Sequence, residues 1–301
     1  MTDWNGNYNK IFHIHTHRCE HAEGVPDEAY VQKALALGAS EIWFTDHAPF
    51  PGDPFRNRMR YAQLEEYLST LTELKHRYNG IVHIGLEIEY FPSYDKEGHY
   101  QELLRDNRLE VLVLGQHMAE DTPGSYTFSW DKGRLAKEEY IALGNAVCEG
   151  MGKGYFSVLA HSDRIFRRQR AWTEDMQQIA NKIIQTAAEN NVPLELNMHS
   201  VAMKHQYWPE FWESLLPESK VLVGLDAHSV DELERRYERS RQWSKKLQVG
   251  QWLDEIPSMH IAKYDKNDLD ILLENAFIRN AATLSKTASK GAEKGKDDPR
   301  A

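Results

Sequence analysis

The chain has 301 residues, 41% of them hydrophobic, enough to bury the core of one barrel-sized domain or two smaller ones. Its formal net charge of −10 argues against a surface that coats nucleic acid, and Cys19 and Cys148, the only cysteines, exclude a disulfide framework and a thiolate zinc cluster. The amino-terminal residues are polar and no apolar run is long enough to span a bilayer, so a soluble cytoplasmic protein is expected.

Taken in order, the chain opens with a strand over Ile11 to His15, where apolar residues alternate with histidine. Side chains two apart on a strand share a face, so His13 and His15 point together, with His21 after a turn. Pro26 to Leu37 reads as a helix stopped by Gly38, and Glu41 to Phe44 as a second strand running into Thr45-Asp46-His47. A Pro-, Arg- and Gly-rich loop, Ala48 to Arg60, leads to an amphipathic helix over Tyr61 to Arg77. The third strand, Ile81 to Ile88, carries Glu87 at its end. A short helix, His99 to Leu104, precedes Val111 to Leu114 and then Gly115-Gln116-His117.

Residues Ala119 to Arg134 read as a polar and aromatic loop, long enough for a lid or a substrate-shaping insert. A helix over Leu135 to Met151 leads to a strand, Phe156 to His161. Thr173 to Glu189 is the next helix and Pro193 to Asn197 the sixth strand. A tryptophan-rich helix, Tyr207 to Leu216, precedes the seventh strand, Val221 to Leu225, which runs into Asp226-Ala227-His228. A charged helix follows over Val230 to Leu247. Strands alternating with helices predict a parallel sheet with right-handed crossovers, and seven such units predict a closed or nearly closed barrel. The expected domain spans residues 1–284, and the Lys-, Ala-, Gly- and Asp-rich tail from Ser285 to Ala301 is expected to be disordered.

In such barrels reactive groups sit at the carboxyl ends of the strands. His13, His15, His21, His47, Glu87, His117, His161, Asp226 and His228 all fall at, or just past, an apolar strand. A single histidine there is more often a satisfied core residue. Convergence from six of the seven strand ends points instead to a divalent-metal site, and imidazole with carboxylate suits Zn, Fe or Mn alike.

At these residues the chain resembles the PHP family (polymerase and histidinol phosphatase domains), in its histidinol-phosphatase branch. The carrying segments are His13-Ile14-His15 with His21, Thr45-Asp46-His47-Ala48-Pro49, Gly85-Leu86-Glu87-Ile88-Glu89-Tyr90, Gly115-Gln116-His117, Ala160-His161-Ser162-Asp163 and Leu225-Asp226-Ala227-His228. The resemblance implies a distorted (β/α)7 TIM-like barrel holding three divalent ions. By resemblance alone, the first would take His13, His15, Glu87 and Asp226; the second Glu87 as a bridge with His117 and His161; the third His21, His47 and His228. Glu87, His117 and Asp226 are read as the catalytic members. The implied activity is a phosphatase of histidine biosynthesis that hydrolyses a small phosphorylated substrate, L-histidinol phosphate first. Its attacking group would be a hydroxide bridging two ions, without a phosphoenzyme.

Three residues are expected at the substrate. Arg164 follows His161 closely and suits bidentate phosphate binding, and Asn197 and His199 end the one strand without a metal role. Arg56, Arg58 and Arg60 favour surface roles, and Glu89 favours a salt bridge deeper in the barrel. Asp46 fits equally a group orienting His47 and a helix N-cap. His17 reads as a loop residue near the mouth. His76, His83, His99, His205 and His260 read as structural or surface residues. Leu225 before Asp226 and Gln116 before His117 depart from the family's common pattern and leave the substrate open. The competing readings are a phosphodiesterase or exonuclease of the same superfamily, an amidohydrolase-type enzyme, and a non-catalytic metal-binding module. Neither metal identity nor oligomeric state follows from the sequence.

Overall fold

Apolar strands alternating with one-sided helices assemble into one parallel sheet, and a computed structural model describes residues 9–128, 135–243 and 251–258. In chain order the elements are β1 (Lys10–Ile14), α1 (Asp27–Ala36), β2 (Glu41–His47), α2 (Leu64–Arg77), β3 (Val82–Ile88), α3 (Pro92–Lys96), α4 (His99–Leu104) and β4 (Val111–Leu114). Then come β5 (Met118–Thr122), β6 (Ser125–Phe128), α5 (Ala136–Gly152), β7 (Val158–Leu159), α6 (Glu174–Glu189), β8 (Leu194–Asn197) and α7 (Met198–Ala202). The last are α8 (Pro209–Glu213), β9 (Lys220–Gly224), α9 (Val230–Trp243) and β10 (Gln251–Trp252). Local chemistry explains the helices. In α2 the stripe Tyr67, Leu68, Leu71 and Leu74 is buried, with Glu65 and Glu66 in the first turn and Lys75 to Arg77 in the last, matching the helix dipole. Thr173 caps α6 by accepting from the Met176 N–H.

The sheet runs β1-β2-β3-β4-β7-β8-β9-β10, every pair parallel. It curls until the chain just past β9 meets β1: Leu225 N–H donates to Phe12 C=O (2.8 Å), His15 N–H to Ala227 C=O (2.9 Å) and Ala227 N–H to His13 C=O (3.2 Å). At the other end of β9 the short β10 takes Lys220 and Val221. The seven main strands β1 to β4 and β7 to β9 thus form the nearly closed barrel that the alternating strands and helices predict, in the distorted (β/α)7 form that the resemblance implied.

Strand register sorts the side chains into two cores. Ile42, Phe44, Ile84, Leu86, Leu114 and Leu194 face outward and pack with the helices. Facing inward, Phe12, Trp43, Val111, Val113, Val158 and Leu222 fill the barrel floor, closed by Ile256. Above that floor the inward positions turn polar: Glu87 pairs in register with His47 and Val113, and Glu195 with Leu222. An apolar floor beneath a charged rim fixes where chemistry can occur.

Several expected boundaries shift. The loop expected over Ala119 to Arg134 begins as an antiparallel hairpin, β5–β6, and residues 129–134 lie outside the described residues. Tyr126 of that hairpin packs on Phe91 and Phe55, ring centroids 4.7 and 4.8 Å apart, which a pattern of polar residues does not reveal. The strand expected over Phe156 to His161 shrinks to Val158–Leu159, because His161 turns into the left-handed region at φ 32°. The tryptophan-rich helix shortens to Pro209–Glu213. Of the expected domain 1–284 only part is described, and His260 and the tail 285–301 lie outside the described residues. No described helix is long and apolar enough to cross a membrane.

Candidate metal centre

His13 and His15 share a face as alternation requires, but which face they share is set by a feature that alternation does not give. Ile11 pairs with Ile42 and Ile14 with Phe44, so β1 has one residue more than β2 between those pairs. The surplus residue is His13, whose φ of 69° marks a bulge. Phe12 points inward beside Trp43, and without the bulge His13 and His15 would follow Ile11 to the helix side. The bulge turns both imidazoles into the barrel.

Glu87 is the hub. Its Oε2 lies 3.0 Å from His47 Nδ1, 3.4 Å from His13 Nε2 and 3.5 Å from His15 Nε2. Its Oε1 faces a second group, 2.8 Å from His161 Nε2 and 3.7 Å from His117 Nε2. One carboxylate with an oxygen toward each group is the disposition of a bridge. Gly115 makes room for it, since a Cβ there would overlap the Glu87 carboxylate. Asp226 Oδ1 lies 3.5 Å from both His15 Nε2 and His228 Nδ1. His228 in turn stacks on His15 (4.3 Å between centroids) and lies 4.5 Å from His21, which is 5.4 Å from His47. All nine expected ligands therefore gather at one rim. His47 borders two of the groups, with Glu87 and His117 on one side and His15 and His228 on the other.

The donor set fits divalent cations. His13 Nε2, both nitrogens of His15 and His228 Nε2 are buried without a hydrogen-bond partner. An unsatisfied buried polar group costs about 1–3 kcal/mol, and a coordinated cation removes that cost. Burial, with neighbouring imidazoles, holds His15 well below its usual range, and burial takes His117 and His228 down to about 3. Burial pushes Glu87 and Asp226 upward, but the surrounding histidines more than offset it and hold both well below the usual carboxylate range. His13 differs: burial opposes its charge, but the Glu195 and Glu87 carboxylates more than offset that and raise it well above its usual range. A cation must therefore displace its proton, whereas the lowered imidazoles and the ionised carboxylates already stand in ligand form.

The groups behind these ligands were less legible. Asp46 lies inside β2 and caps no helix. It accepts from the Thr16 hydroxyl and from the Thr16 N–H (2.5 Å), and its Oδ1 stands 3.8 Å from His15 Nδ1, so it faces His15 and not His47. Arg58 is buried, contrary to the surface role expected for it. It grips Glu89, which holds His117 Nδ1 at 3.1 Å, so Glu89 acts at the rim and not deeper in the barrel. Arg56 stays exposed on the cavity wall, and partly exposed Arg60 pairs with Glu20 at the surface.

A cavity of about 780 Å³ opens above the centre, bounded by His117, Asp226 and His228 below and by Arg164, His199 and Arg236 at the side. Arg164 is half-buried, and its guanidinium has no hydrogen-bond or ion-pair partner among the described residues. His199 also lines the cavity, its Nδ1 2.8 Å from Arg236 Nη2. Asn197 does not reach this space. Its Oδ1 accepts from Ser200 N–H (2.9 Å) and its amide donates to Glu195 Oε2 (2.9 Å) and Asp226 Oδ2 (3.3 Å), which corrects the substrate contact expected of it. Arg236 and Glu195 were missed. Arg236 is one more cation on a charged helix, but Glu195 carried a signal: in Leu194-Glu195-Leu196-Asn197 the acid alternates with outward leucines and so must face the barrel interior.

Comparison with known proteins agrees with this geometry. Histidinol-phosphatase of Bacillus subtilis (strain 168) is 26% identical over 263 residues, covering 75% of this chain and 96% of that protein. The fold superposes on a histidinol phosphate phosphatase from Lactococcus lactis subsp. lactis, solved with zinc, L-histidinol and phosphate. The TM-score is 0.64 at 18% identity, over 81% of this chain and 95% of that one. Residues 12–199 match the PHP domain, and with its central glutamate and ring of histidines at one rim the chain belongs to the PHP domain family.

Proposed function

We propose that this chain is a metal-dependent phosphatase of small phosphate monoesters, with L-histidinol phosphate as its substrate and three divalent ions in its centre. The observation that carries the reading is the placement of Arg164: an unpaired, half-buried guanidinium lining the same cavity as His117, Asp226 and His228. A buried cation without a partner is costly to keep, and a phosphate dianion supplies the charge and the bidentate geometry it lacks. The named activity of the Bacillus subtilis relative supports the substrate.

His13, His15, Glu87 and Asp226 would hold one ion, Glu87, His117 and His161 a second, and His21, His47 and His228 a third. Such cations supply charge to neutralise phosphate oxygens and lower the pKa of an attacking water. The chain's own residues do the rest. Arg164 grips the phosphate from the side. Arg236 can only donate, so His199 Nδ1 accepts and the neutral ring carries its proton on Nε2, giving one further donor in the cavity wall. The apolar floor of Phe12, Trp43, Val113 and Leu222 keeps bulk water from reaching the centre from below.

The test is a side-by-side assay of purified protein on L-histidinol phosphate and a 5′-phosphorylated dinucleotide, with elemental analysis of protein prepared without chelator. Release of phosphate from the first substrate, with about three metal equivalents bound, is the expected result. Turnover of the dinucleotide alone would replace this reading by the phosphodiesterase one, and metal-free, inactive protein would end both.

A further inference from the structure

Among the described residues, β8 is the one main strand that ends without a candidate ligand, and we propose that it serves the centre from behind. Glu195, with Asn197 beside it, is the positioning residue that holds His13, His161 and Asp226 in ligand geometry. This rests on the reading that the centre holds divalent cations.

Three ligands from three strands converge on this pair. Glu195 Oε1 lies 2.6 Å from His13 Nδ1, and Glu195 Oε2 accepts the His161 backbone N–H at 2.9 Å. Asn197 Nδ2 joins Glu195 Oε2 to Asp226 Oδ2. The same three residues are the candidate ligands with left-handed backbone, at φ 69°, 32° and 52°. Non-glycine residues hold that conformation only when their surroundings over-determine it. Glu195 also decides which nitrogen of His13 is free. A carboxylate only accepts, so Nδ1 carries a proton, and in the neutral ring that a cation requires the lone pair is then on Nε2, which has no hydrogen-bond partner and faces Glu87. The site is closely fitted: a Cβ on Gly224 would overlap Glu195, and the three nearest atoms it meets all belong to that side chain.

Two substitutions separate this role from space-filling. Glu195→Gln has the same shape but cannot satisfy all partners. With its NH2 toward His13 it forces Nδ1 to accept and places the proton on Nε2. With its oxygen there, it sets NH2 against the His161 N–H and the Asn197 amide. Gly224→Ala leaves every charge in place and displaces the carboxylate. The readout is Co2+ titration of full-length apoprotein, followed by the visible absorption of the bound ion and by circular dichroism. Both variants should bind Co2+ about 10–100-fold more weakly, with an altered absorption band and unchanged secondary structure. Wild-type affinity and spectrum in Glu195→Gln would overturn the role. If that variant does not fold, Gly224→Ala decides by the same two outcomes. Wild-type protein that takes up no Co2+ would instead overturn the metal reading on which the role rests.

Discussion

Arg58 holds Glu89 through both terminal guanidinium nitrogens, at 2.9 and 3.0 Å, with both side chains buried. The guanidinium also lies 5.1 Å from the Phe55 ring centroid and 5.6 Å from that of Phe50, so the loop after β2 and the end of β3 are fastened at one point. Removing one member of a buried pair leaves the other charge without compensation. Arg58→Ala should therefore destabilise the protein by roughly 3–5 kcal/mol in urea unfolding. A loss under 1 kcal/mol would mean that water replaces the guanidinium freely.

The bridging place of Glu87 gives the sharpest loss of function. His15→Ala and Glu87→Ala should remove bound metal and abolish turnover together. Gly115→Ala should do the same without replacing a proposed ligand, because the added methyl group occupies the space of the Glu87 carboxylate. Elemental analysis beside the phosphatase assay checks this, and full metal content with full rate in either ligand variant would refute the assignment.

Arg164→Ala should behave differently. The guanidinium touches no proposed metal ligand by a hydrogen bond, so metal content should persist while KM rises. A charge-assisted hydrogen bond is worth about 1.5–3 kcal/mol, which corresponds to roughly 10–150-fold weaker phosphate binding. Inorganic phosphate inhibition reports it directly, and an unchanged inhibition constant would place the phosphate elsewhere.

His99 offers a test of stability far from the chemistry. The ring is buried between Phe50, at 5.2 Å, and Tyr94, at 5.8 Å, and neither nitrogen has a hydrogen bond of good geometry. Burial takes it down to about 4 from the usual 6.5. A base whose folded value is lowered binds more protons when unfolded, so its stabilisation is full above about pH 6.5 and drains away as pH falls toward 4. The drain should be on the order of 3 kcal/mol. In His99→Phe the stability measured by urea unfolding should fall less steeply between pH 6.5 and 4, and an identical slope would show that the ring titrates normally.

The candidate ligands were legible because nearly all stand at or just past the end of an apolar strand, where a barrel exposes its reactive edge: Glu87 after Ile84 and Leu86, His117 after the run Val111 to Leu114. Chain order alone could not show that His13 is a bulge residue, because a bulge exists only relative to the neighbouring strand. Nor could it show that Arg58 turns inward, since an arginine in a polar loop buries itself only where a partner such as Glu89 waits. Asn197 was misjudged for the converse reason. Its position at a strand end was right, but the partners that occupy its amide come from elsewhere in the chain.

The barrel's last joint is made by Phe12, His13 and His15 against Leu225 and Ala227, next to Asp226. That places the closing stitch of the cylinder inside the cluster of proposed ion-binding side chains. Held as proposed, the first and third ions would each tie residues on or just past the first strand (His13, His15, His21) to residues just past β9 (Asp226, His228), so loading with cations and zipping of the wall would reinforce each other. Chelation would do more than silence the enzyme: it would let the cylinder gape along that line, and amide exchange should quicken there first.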